Sequence, residues 1–248
     1  SGTTSVTQGT LRAGAVNTFS SKSATVVGNG ATLDLAGHNQ TLASVNNSGT
    51  VSLAGAAPGT TLTVTGPWVG NGGTLRLGTA LGDSSSASDR LVLSGATAIA
   101  SGTTNVQITN LGGLGALTTG NGIEVVSAIN GATTTAQTTK NAFALAGGHV
   151  DAGAYEYRLY AADASGAGEN WYLRSTVAAV PPTNGGGTGG GVVVPAYRTE
   201  VPLYAVLPEQ FRQANLSMLG SLHMRMGDNV RPAANDAGPA VAGQSYRQ

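Results

Sequence analysis

The sequence predicts an all-β fold, a parallel β-helix closed by a C-terminal β-hairpin and followed by a flexible linker and one α-helix. Short segments in which apolar and polar residues alternate recur between turns rich in Gly and Asn, and this period of two is typical of strands with one buried face. Aromatic residues form only 5% of the chain, too few for the core of a β-sandwich of this size. A sandwich or a barrel is the alternative for many short strands.

Seven segments carry the alternating pattern and are predicted to be strands: 30–37, 49–55, 60–66, 72–78, 89–95, 104–110 and 122–128. No helical period separates them, which excludes βαβ units. Their outward positions are mostly Thr and Ser, side chains that can stack in ladders along parallel strands. In a β-helix each coil then covers the next, and a narrow column of Leu, Val and Ile is buried.

Composition limits the possible partners and chemistry. Lys plus Arg and Asp plus Glu both number 12, and without a basic patch no nucleic-acid partner is expected. The absence of Cys excludes disulfides, thiol catalysis and Cys-ligated zinc. No apolar stretch is long enough for a spanning helix, and the start "SGTTSVTQGT" has no signal-peptide pattern. We therefore expect a segment whose targeting signals lie elsewhere.

The aromatic residues concentrate in residues 153–175, which contain four of the seven Tyr and one of the two Trp. "YEYRLY" and "NWYLRS" are predicted strands, and "AADASGAGE" is their connection. Because the open end of a solenoid exposes unpaired backbone groups that must be covered, we interpret this hairpin as the C-terminal cap of a β-helix over 1–175. The predicted cap residues are Tyr155, Tyr157, Leu159, Tyr160, Trp171, Tyr172 and Leu173.

The composition changes after the predicted cap. Residues 176–203, with Pro-Pro and a Gly-rich tract, are predicted to be a flexible linker. Residues 204–228 are predicted to be a helix, in which Pro208 suits a first-turn position. Residues 229–248 are predicted to be disordered. Apolar residues stand at helical spacing along the helix: Phe211, Ala214, Met218 and Leu222.

Several motifs resemble the C-terminal passenger region of Gram-negative autotransporters, the pertactin-like group of type V secreted proteins. They are "SASDRLVLSG", "GNGIEVVSAINGATTT", "AFALAGGHVDAGAYEYRLY", "NWYLRS" and "YRTEVPLYAVLPEQFRQANLSMLGSLHMRMGD", in the family's order. The resemblance covers residues 83–228, whereas residues 1–82 fit only the looser β-helix pattern.

The resemblance implies a right-handed β-helix that is carried across the outer membrane to the bacterial cell surface after periplasmic transit. It implies that the last coils, 83–175, are an autochaperone that folds first and templates the rest, and that the whole passenger is an adhesin or virulence factor. The expected partners are the chain's own outer-membrane β-barrel, the outer-membrane assembly machinery and a host surface ligand. No barrel strands follow in this sequence, so the barrel is expected to be absent from it.

The resemblance also assigns the predicted helix to the barrel pore, with Phe211, Met218 and Leu222 as its pore residues. Packing on a neighbouring domain is the alternative reading of this apolar stripe. One departure concerns cleavage. Serine-protease autotransporters have an Asn pair just before a similar "RMGD", where this chain has Gly220 and Ser221. Self-cleavage driven by Asn is therefore not expected at this position.

An enzyme is the third possibility, because β-helices can carry active sites built from clustered carboxylates. Asp34 is the only carboxylate in residues 1–82. Asp83 and Asp89 flank a Ser-rich loop, and we interpret Asp89 with Arg90 as a turn and a solvated strand end. The sequence gives no indication of a carboxylate site.

The three histidines, His38, His149 and His223, lie far apart and have no metal-like spacing. No nucleophile-elbow motif is present, although members of a Ser/His/Asp triad can also meet only in space. Only Gly78–Asp89 and Ile108–Gly122 are loops long enough to build a site. We therefore predict no enzyme, no cofactor, and no catalytic or metal-ligating residue. The predicted role is secretion and folding, with ligand binding as the alternative.

Overall fold

The computed structural model describes residues 2–179 and 192–227, which contain eighteen strands and one helix. In chain order the strands are β1 (Thr3–Val6), β2 (Thr10–Arg12), β3 (Ala24–Val27), β4 (Thr32–Asp34), β5 (Gln40–Leu42), β6 (Ser44–Asn47), β7 (Thr50–Ser52), β8 (Thr61–Val64), β9 (Trp68–Thr79), β10 (Arg90–Ser94), β11 (Ala100–Asn110), β12 (Ile123–Ile129), β13 (Phe143–Leu145), β14 (Val150–Ala152), β15 (Tyr155–Ala161), β16 (Trp171–Arg174), β17 (Thr176–Ala179) and β18 (Val192–Pro195). The helix is α1 (Val201–Gly227).

The strands up to β13 stack in three parallel columns. The first column contains β1, β3, β6 and the first halves of β9 and β11, and the second contains β2, β4, β7, the second halves of β9 and β11, and β13. The third column contains β5, β8, β10 and β12. Because the chain visits the three columns in turn and then repeats, the prediction of a parallel β-helix is confirmed.

The core is a set of aliphatic ladders inside these columns. In the second column Leu33, Val51, Leu75 and Val106 occupy equivalent positions of successive strands, and all four are buried. Leu62, Leu91 and Val126 do the same in the third column. Neighbouring strands lie about 4.8 Å apart, so side chains in one ladder contact each other directly and leave water out. The buried Leu and Val column predicted from the alternating segments is therefore present.

The first column contains one large internal side chain, Trp68. Trp68 is fully buried between Val45 and Ala100, its partners in the adjacent strands. The small Ala100 leaves room for the indole, whose Nε1–H donates a 2.9 Å hydrogen bond to Oγ1 of Thr104. A buried indole N–H needs such an acceptor, and a threonine one coil further along supplies it.

Threonines form a ladder on the outer side of the second column. Thr10, Thr32, Thr50 and Thr74 are paired in register through four successive strands. The outward Thr and Ser ladders predicted from the sequence are therefore confirmed in this column.

Asp89 differs from its sequence interpretation. The predicted solvated strand end is wrong, because the residue is fully buried although Arg90 beside it is exposed. One carboxylate oxygen of Asp89 accepts the N–H groups of Gly59 and Thr60 at 2.9 and 2.8 Å. The other oxygen accepts the N–H of Gly78 at 2.7 Å. Backbone donors from the loop before β8 and from the end of β9, which the sequence does not show, replace water around this carboxylate.

The chain divides into two compact units between Arg198 and Thr199. Within the predicted linker, 176–203, the strands β17 and β18 pair with each other in antiparallel fashion, and residues 180–191 lie outside the described part of the chain. The predicted disordered tail, 229–248, also lies outside it.

The second unit contains α1. Pro208 is inside this helix rather than in its first turn, because the helix begins at Val201, seven residues earlier. Phe211, Met218 and Leu222 are all more than half exposed, and other exposed apolar side chains, such as Leu216, lie elsewhere around the helix. No helix in residues 2–179 or 192–227 combines the length and the apolar character needed to cross a lipid bilayer.

Candidate functional site

The end of the β-helix is closed by the predicted hairpin. β15 and β16 pair in antiparallel fashion, and β16 also pairs antiparallel with β12, the last strand of the third column. β14 pairs with the beginning of β15. The hairpin therefore continues the sheet while ending the parallel stack. We call β14, β15, β16 and their connections the cap.

The inward face of the cap is anchored by an indole ring. Trp171 is 3% exposed and donates a 2.8 Å hydrogen bond from Nε1 to Oγ1 of Thr134. Its ring meets Phe143 edge to face, with centroids 5.4 Å apart. Leu173, two residues further along the same face, is fully buried opposite Ile123. Trp171 and Leu173 thus extend the apolar column of the β-helix into the cap.

Tyr157 joins the cap to the two long loops that the sequence singled out. The side chain is fully buried, and its hydroxyl lies 2.8 Å from the carbonyl oxygens of both Gly82 and Ala116. The same hydroxyl accepts the N–H of Ala116, also at 2.8 Å. One phenol therefore satisfies backbone groups from the loops on either side of it.

Removal of this hydroxyl should destabilise the cap. In Tyr157→Phe the partly buried N–H of Ala116 and carbonyl oxygen of Gly82 lose the hydroxyl that pairs with them, which costs about 1–3 kcal/mol. We expect urea unfolding, followed by far-UV circular dichroism, to show a lower midpoint with an unchanged slope. Tyr204→Phe, at an exposed position of α1, is the control and should leave the midpoint where it is. An unchanged midpoint in Tyr157→Phe would contradict the hydrogen-bond network.

The same phenol gives the cap a dependence on alkaline pH. Burial raises the pKa of Tyr157 above its ordinary value of 10.0. The folded state then holds the proton more tightly than the unfolded state, so this contribution to stability is fully present below pH 10.0 and is lost as the pH rises through the folded pKa. The urea midpoint of unfolding should fall between pH 8 and a pH above 10, and this fall should be larger in the native chain than in Tyr157→Phe. Equal differences would contradict the assignment.

The outward face of the cap is organised by Arg174, which sequence reasoning missed. Its guanidinium lies 5.2 Å from the ring centre of Tyr160 and 5.7 Å from that of Tyr172. It also donates hydrogen bonds to the carbonyl oxygens of Asn121 and Ala162, at 2.8 and 2.7 Å. Burial lowers the pKa of Arg174 from its usual value. Cation–π contacts of this kind hold strands together across one face.

A signal for this cluster was present in the sequence. Tyr172 and Arg174 stand two positions apart in a predicted strand and so share a face. Tyr160 is the partner of Tyr172 in the hairpin. The pairing register, which fixes this contact, follows only from the structure.

The hairpin connection holds the loop that follows β12. A carboxylate oxygen of Glu169 accepts the N–H groups of Thr134 and Ala136, at 2.6 and 3.2 Å. The side chain of Asn170 accepts the N–H of Ala128 at 2.8 Å. These contacts join residues more than thirty positions apart, so the cap fixes the last coil as well as covering it.

The two long loops are bonded to each other. Oγ of Ser84 donates to the carbonyl oxygen of Thr119 at 2.5 Å and accepts the N–H of the same residue at 2.8 Å. Oγ of Ser175, at the end of the cap, accepts the N–H of Thr118 at 2.8 Å. Both loops are therefore joined to each other through Ser84 and to the cap region through Tyr157 and Ser175.

One cluster of possible metal ligands contains a histidine that the sequence left without partners. The ligand atoms of His149, Asp151 and Glu156 lie within 4.8 Å of one another. Nε of Arg198 lies 3.4 Å from Oδ2 of Asp151, and Nε of Arg158 lies 2.5 Å from Oε1 of Glu156. Because arginine charges already neutralise both carboxylates, we assign no metal to this cluster.

The structure places all seven predicted cap residues in the hairpin. Tyr157, Trp171, Tyr172 and Leu173 are buried, whereas Tyr155, Leu159 and Tyr160 are partly buried. Phe211, Met218 and Leu222 lie in the helical unit. Besides Arg174, sequence reasoning missed Glu169 and Asn170 in the cap, and it missed three residues outside the cap that contact it or follow it: Thr134, Phe143 and Ser175.

Parallel coils closed by an aromatic antiparallel hairpin define a capped β-helix. Residues 39–159 match the family model of the Autochaperone Domain Type 1. The chain therefore contains an autochaperone domain and is part of an autotransporter passenger. The match begins well before residue 83, so the similarity extends into coils that the sequence motifs did not reach.

Three relatives are similar to this chain, and the two whose names include autotransporter support this assignment. The uncharacterized protein YuaQ of Escherichia coli K12 is 44% identical over 142 residues, 57% of this chain and 10% of that protein. The adhesin BmaC autotransporter of Brucella suis biovar 1 is 38% identical over 211 residues, 78% of this chain and 6% of that protein. The probable autotransporter YfaL of E. coli K12 is 42% identical over 138 residues, 55% of this chain and 10% of that protein. The chain thus spans at most 10% of each of these relatives.

Proposed function

We propose that the cap is the folding nucleus of the passenger: it forms first outside the outer membrane and serves as the template on which the upstream coils assemble. The observation that supports this proposal is the concentration in the cap of buried side chains and of hydrogen bonds to residues distant in the sequence. Trp171, Tyr157 and Arg174 each bind residues from other segments of the last coils. No comparable set of aromatic contacts occurs among the described residues of the earlier coils.

The order of folding follows from chain distance. Ala161 pairs with Trp171, ten positions further along the chain, whereas Leu91 pairs with Val126, 35 positions further along. Closing a short connection costs less conformational entropy and is faster. The hairpin can therefore form before the coils do. Once β16 is in place, it offers β12 a strand edge, and each added coil offers an edge to the next.

This role places the protein at the bacterial cell surface. In our proposal the passenger crosses the outer membrane through the chain's own β-barrel with the help of the assembly machinery, and α1 lies in the barrel pore. Phe211, Met218 and Leu222 are the pore residues. These apolar side chains are exposed on α1, which supports a helix whose packing partner is another part of the protein, the barrel. The folding role needs no catalysis.

Surface display of the complete parent protein tests the proposal. Trp171→Ala should reduce the passenger accessible to antibody on intact cells several-fold, because the nucleus no longer forms efficiently. Trp68→Ala is the matched control, since that indole is equally buried and also donates to a threonine. It should reduce display less at equal expression. Equal reductions in both variants would remove the special role of the cap.

Ligand binding is the second candidate function. The name of BmaC describes that relative as an adhesin, and the ladder of Thr10, Thr32, Thr50 and Thr74 gives this chain a regular polar surface. We propose that such a surface contacts a host molecule. Immobilised host-matrix proteins should then retain the purified chain, and replacement of Thr32 and Thr50 by Lys should abolish retention. Equal retention of the variant would exclude this surface.

A further inference from the structure

The cap contains a strand position that its own hairpin does not fill. The second half of β15 pairs with β16, and Arg158 lies opposite Arg174 at the end of this ladder. Continued in the same register, Ser175 and the residues after it would pair with the first half of β15. The chain instead leaves this position to form β17. One side of Tyr155 and Glu156 is therefore left for another strand.

Residues after β18 occupy this position. The N–H of Ala196 donates to the carbonyl oxygen of Ser175 at 2.7 Å, and the N–H of Glu156 donates to the carbonyl oxygen of Ala196 at 2.9 Å. The N–H of Arg198 donates to the carbonyl oxygen of Ala154 at 3.1 Å. The bonds to Glu156 and Ala154 pair the segment with β15 as an added antiparallel strand, and the bond to Ser175 joins it to the residue that follows β16.

Side chains support the same register. Tyr197 lies opposite Tyr155, and their rings stack with centroids 5.4 Å apart and planes 30° apart. Arg198 lies 3.4 Å from the carboxylate of Asp151, in the neighbouring strand β14. Ala196 is only 7% exposed, so its small side chain is enclosed.

The rest of the segment is held by β17. Val192 to Pro195 pair with Ala179 to Thr176, and the carbonyl oxygen of Thr176 accepts a 3.1 Å hydrogen bond from the hydroxyl of Tyr160. The boundary of the compact unit falls directly after Arg198. The contacts of residues 192–198 are therefore contacts with the capped β-helix.

We propose that the open side of β15 and the neighbouring strand β17 together form a strand-acceptor site and that residues 192–198 are its ligand, an extended segment that binds by β-strand addition. Backbone hydrogen bonds provide most of the binding, and the aromatic and basic side chains of Tyr197 and Arg198 set the register. The segment binds through these contacts and does not depend on its covalent link to β17. The cap is complete only when this strand is present.

Cutting the chain between the two partners tests the proposal. A specific protease site placed within residues 180–191 allows the purified full chain to fold before it is cut. The sequence has no Cys, so Ser217→Cys gives a single labelling position on α1. After cutting, fluorescence anisotropy over a dilution series measures the dissociation constant of the labelled piece. We expect the two pieces to stay together at about 10 µM, within the range of specific peptide binding.

Two variants of the cut chain separate specific strand addition from nonspecific association. Ala196→Pro removes the N–H that binds Ser175, and we expect its dissociation constant to rise about tenfold or more. Val193→Ala changes an exposed side chain of the same segment and should change the constant less than about twofold. Circular dichroism before cutting confirms that each variant is folded. Separation of the native pieces at about 10 µM, or equal effects of the two variants, would overturn the proposal.

Discussion

Replacing Trp171 with alanine is expected to lower the free energy of unfolding by about 3–5 kcal/mol, the usual cost of removing a buried indole. The change removes the edge-to-face contact with Phe143, leaves a cavity between the cap and the last coil, and deprives Thr134 of its indole donor. Urea unfolding followed by circular dichroism measures the loss. Refolding after dilution from urea should also become slower, because the lost contacts belong to the proposed nucleus.

Thr134→Val is the control for this experiment. It keeps the volume of the side chain and removes the acceptor of the indole N–H, so we expect a smaller loss of about 1–2 kcal/mol. If Trp171→Ala lost less than about 1 kcal/mol, the indole would not be part of the stabilising core.

Replacing Asp89 with alanine is expected to produce a loss of similar size, although the residue is far from the cap hairpin in sequence. The N–H groups of Thr60 and Gly78 would remain buried without their acceptor, and the more exposed N–H of Gly59 would lose its partner as well. Each unsatisfied group costs about 1–3 kcal/mol before local rearrangement. We therefore expect a total loss of about 3–5 kcal/mol in urea unfolding.

Two further substitutions identify the cause of this loss. Asp89→Asn keeps one acceptor oxygen, which can serve the two donors at 2.9 and 2.8 Å, so it should retain much of the stability. Asp83→Ala removes an exposed carboxylate from the same loop, one that accepts hydrogen bonds only within its turn, from Ser85. It should leave the unfolding midpoint unchanged. If Asp89→Ala behaved like Asp83→Ala, the buried network would not contribute to folding.

The longer strands could be predicted because the alternation of apolar and polar residues that indicates them lies within each strand. Segments 60–66 and 72–78 each have an alternating stretch of apolar and polar residues; the first contains β8 and the second lies within β9. Three-residue strands such as β2 and β5 are too short for a period to be recognised. These strands form by pairing with a strand of the neighbouring coil. The residues of the strand alone do not indicate that pairing.

The parts that could not be predicted depend on long-range pairing. Asp89 has the position of a polar residue at a strand end, and only the approach of the loop before β8 and the end of β9 makes it a buried acceptor. The composition of residues 176–203 indicates a linker, yet Ala196 and Tyr197 fill a strand position that exists only because β16 ends early. Aromatic content did indicate the cap, because Trp and Tyr are rare elsewhere in the chain.

The central claim, that the cap forms before the coils, is tested most directly by comparing the folding kinetics of Trp171→Phe and Trp68→Phe. Both indoles are buried and both donate to a threonine, so each change should cost about 1–3 kcal/mol. Each variant keeps the other Trp as a fluorescent reporter. The φ-value, the fraction of the lost stability that appears in the refolding rate, should be about 0.5 or more at Trp171 and about 0.3 or less at Trp68. A low φ-value at Trp171 together with a high one at Trp68 would contradict this account.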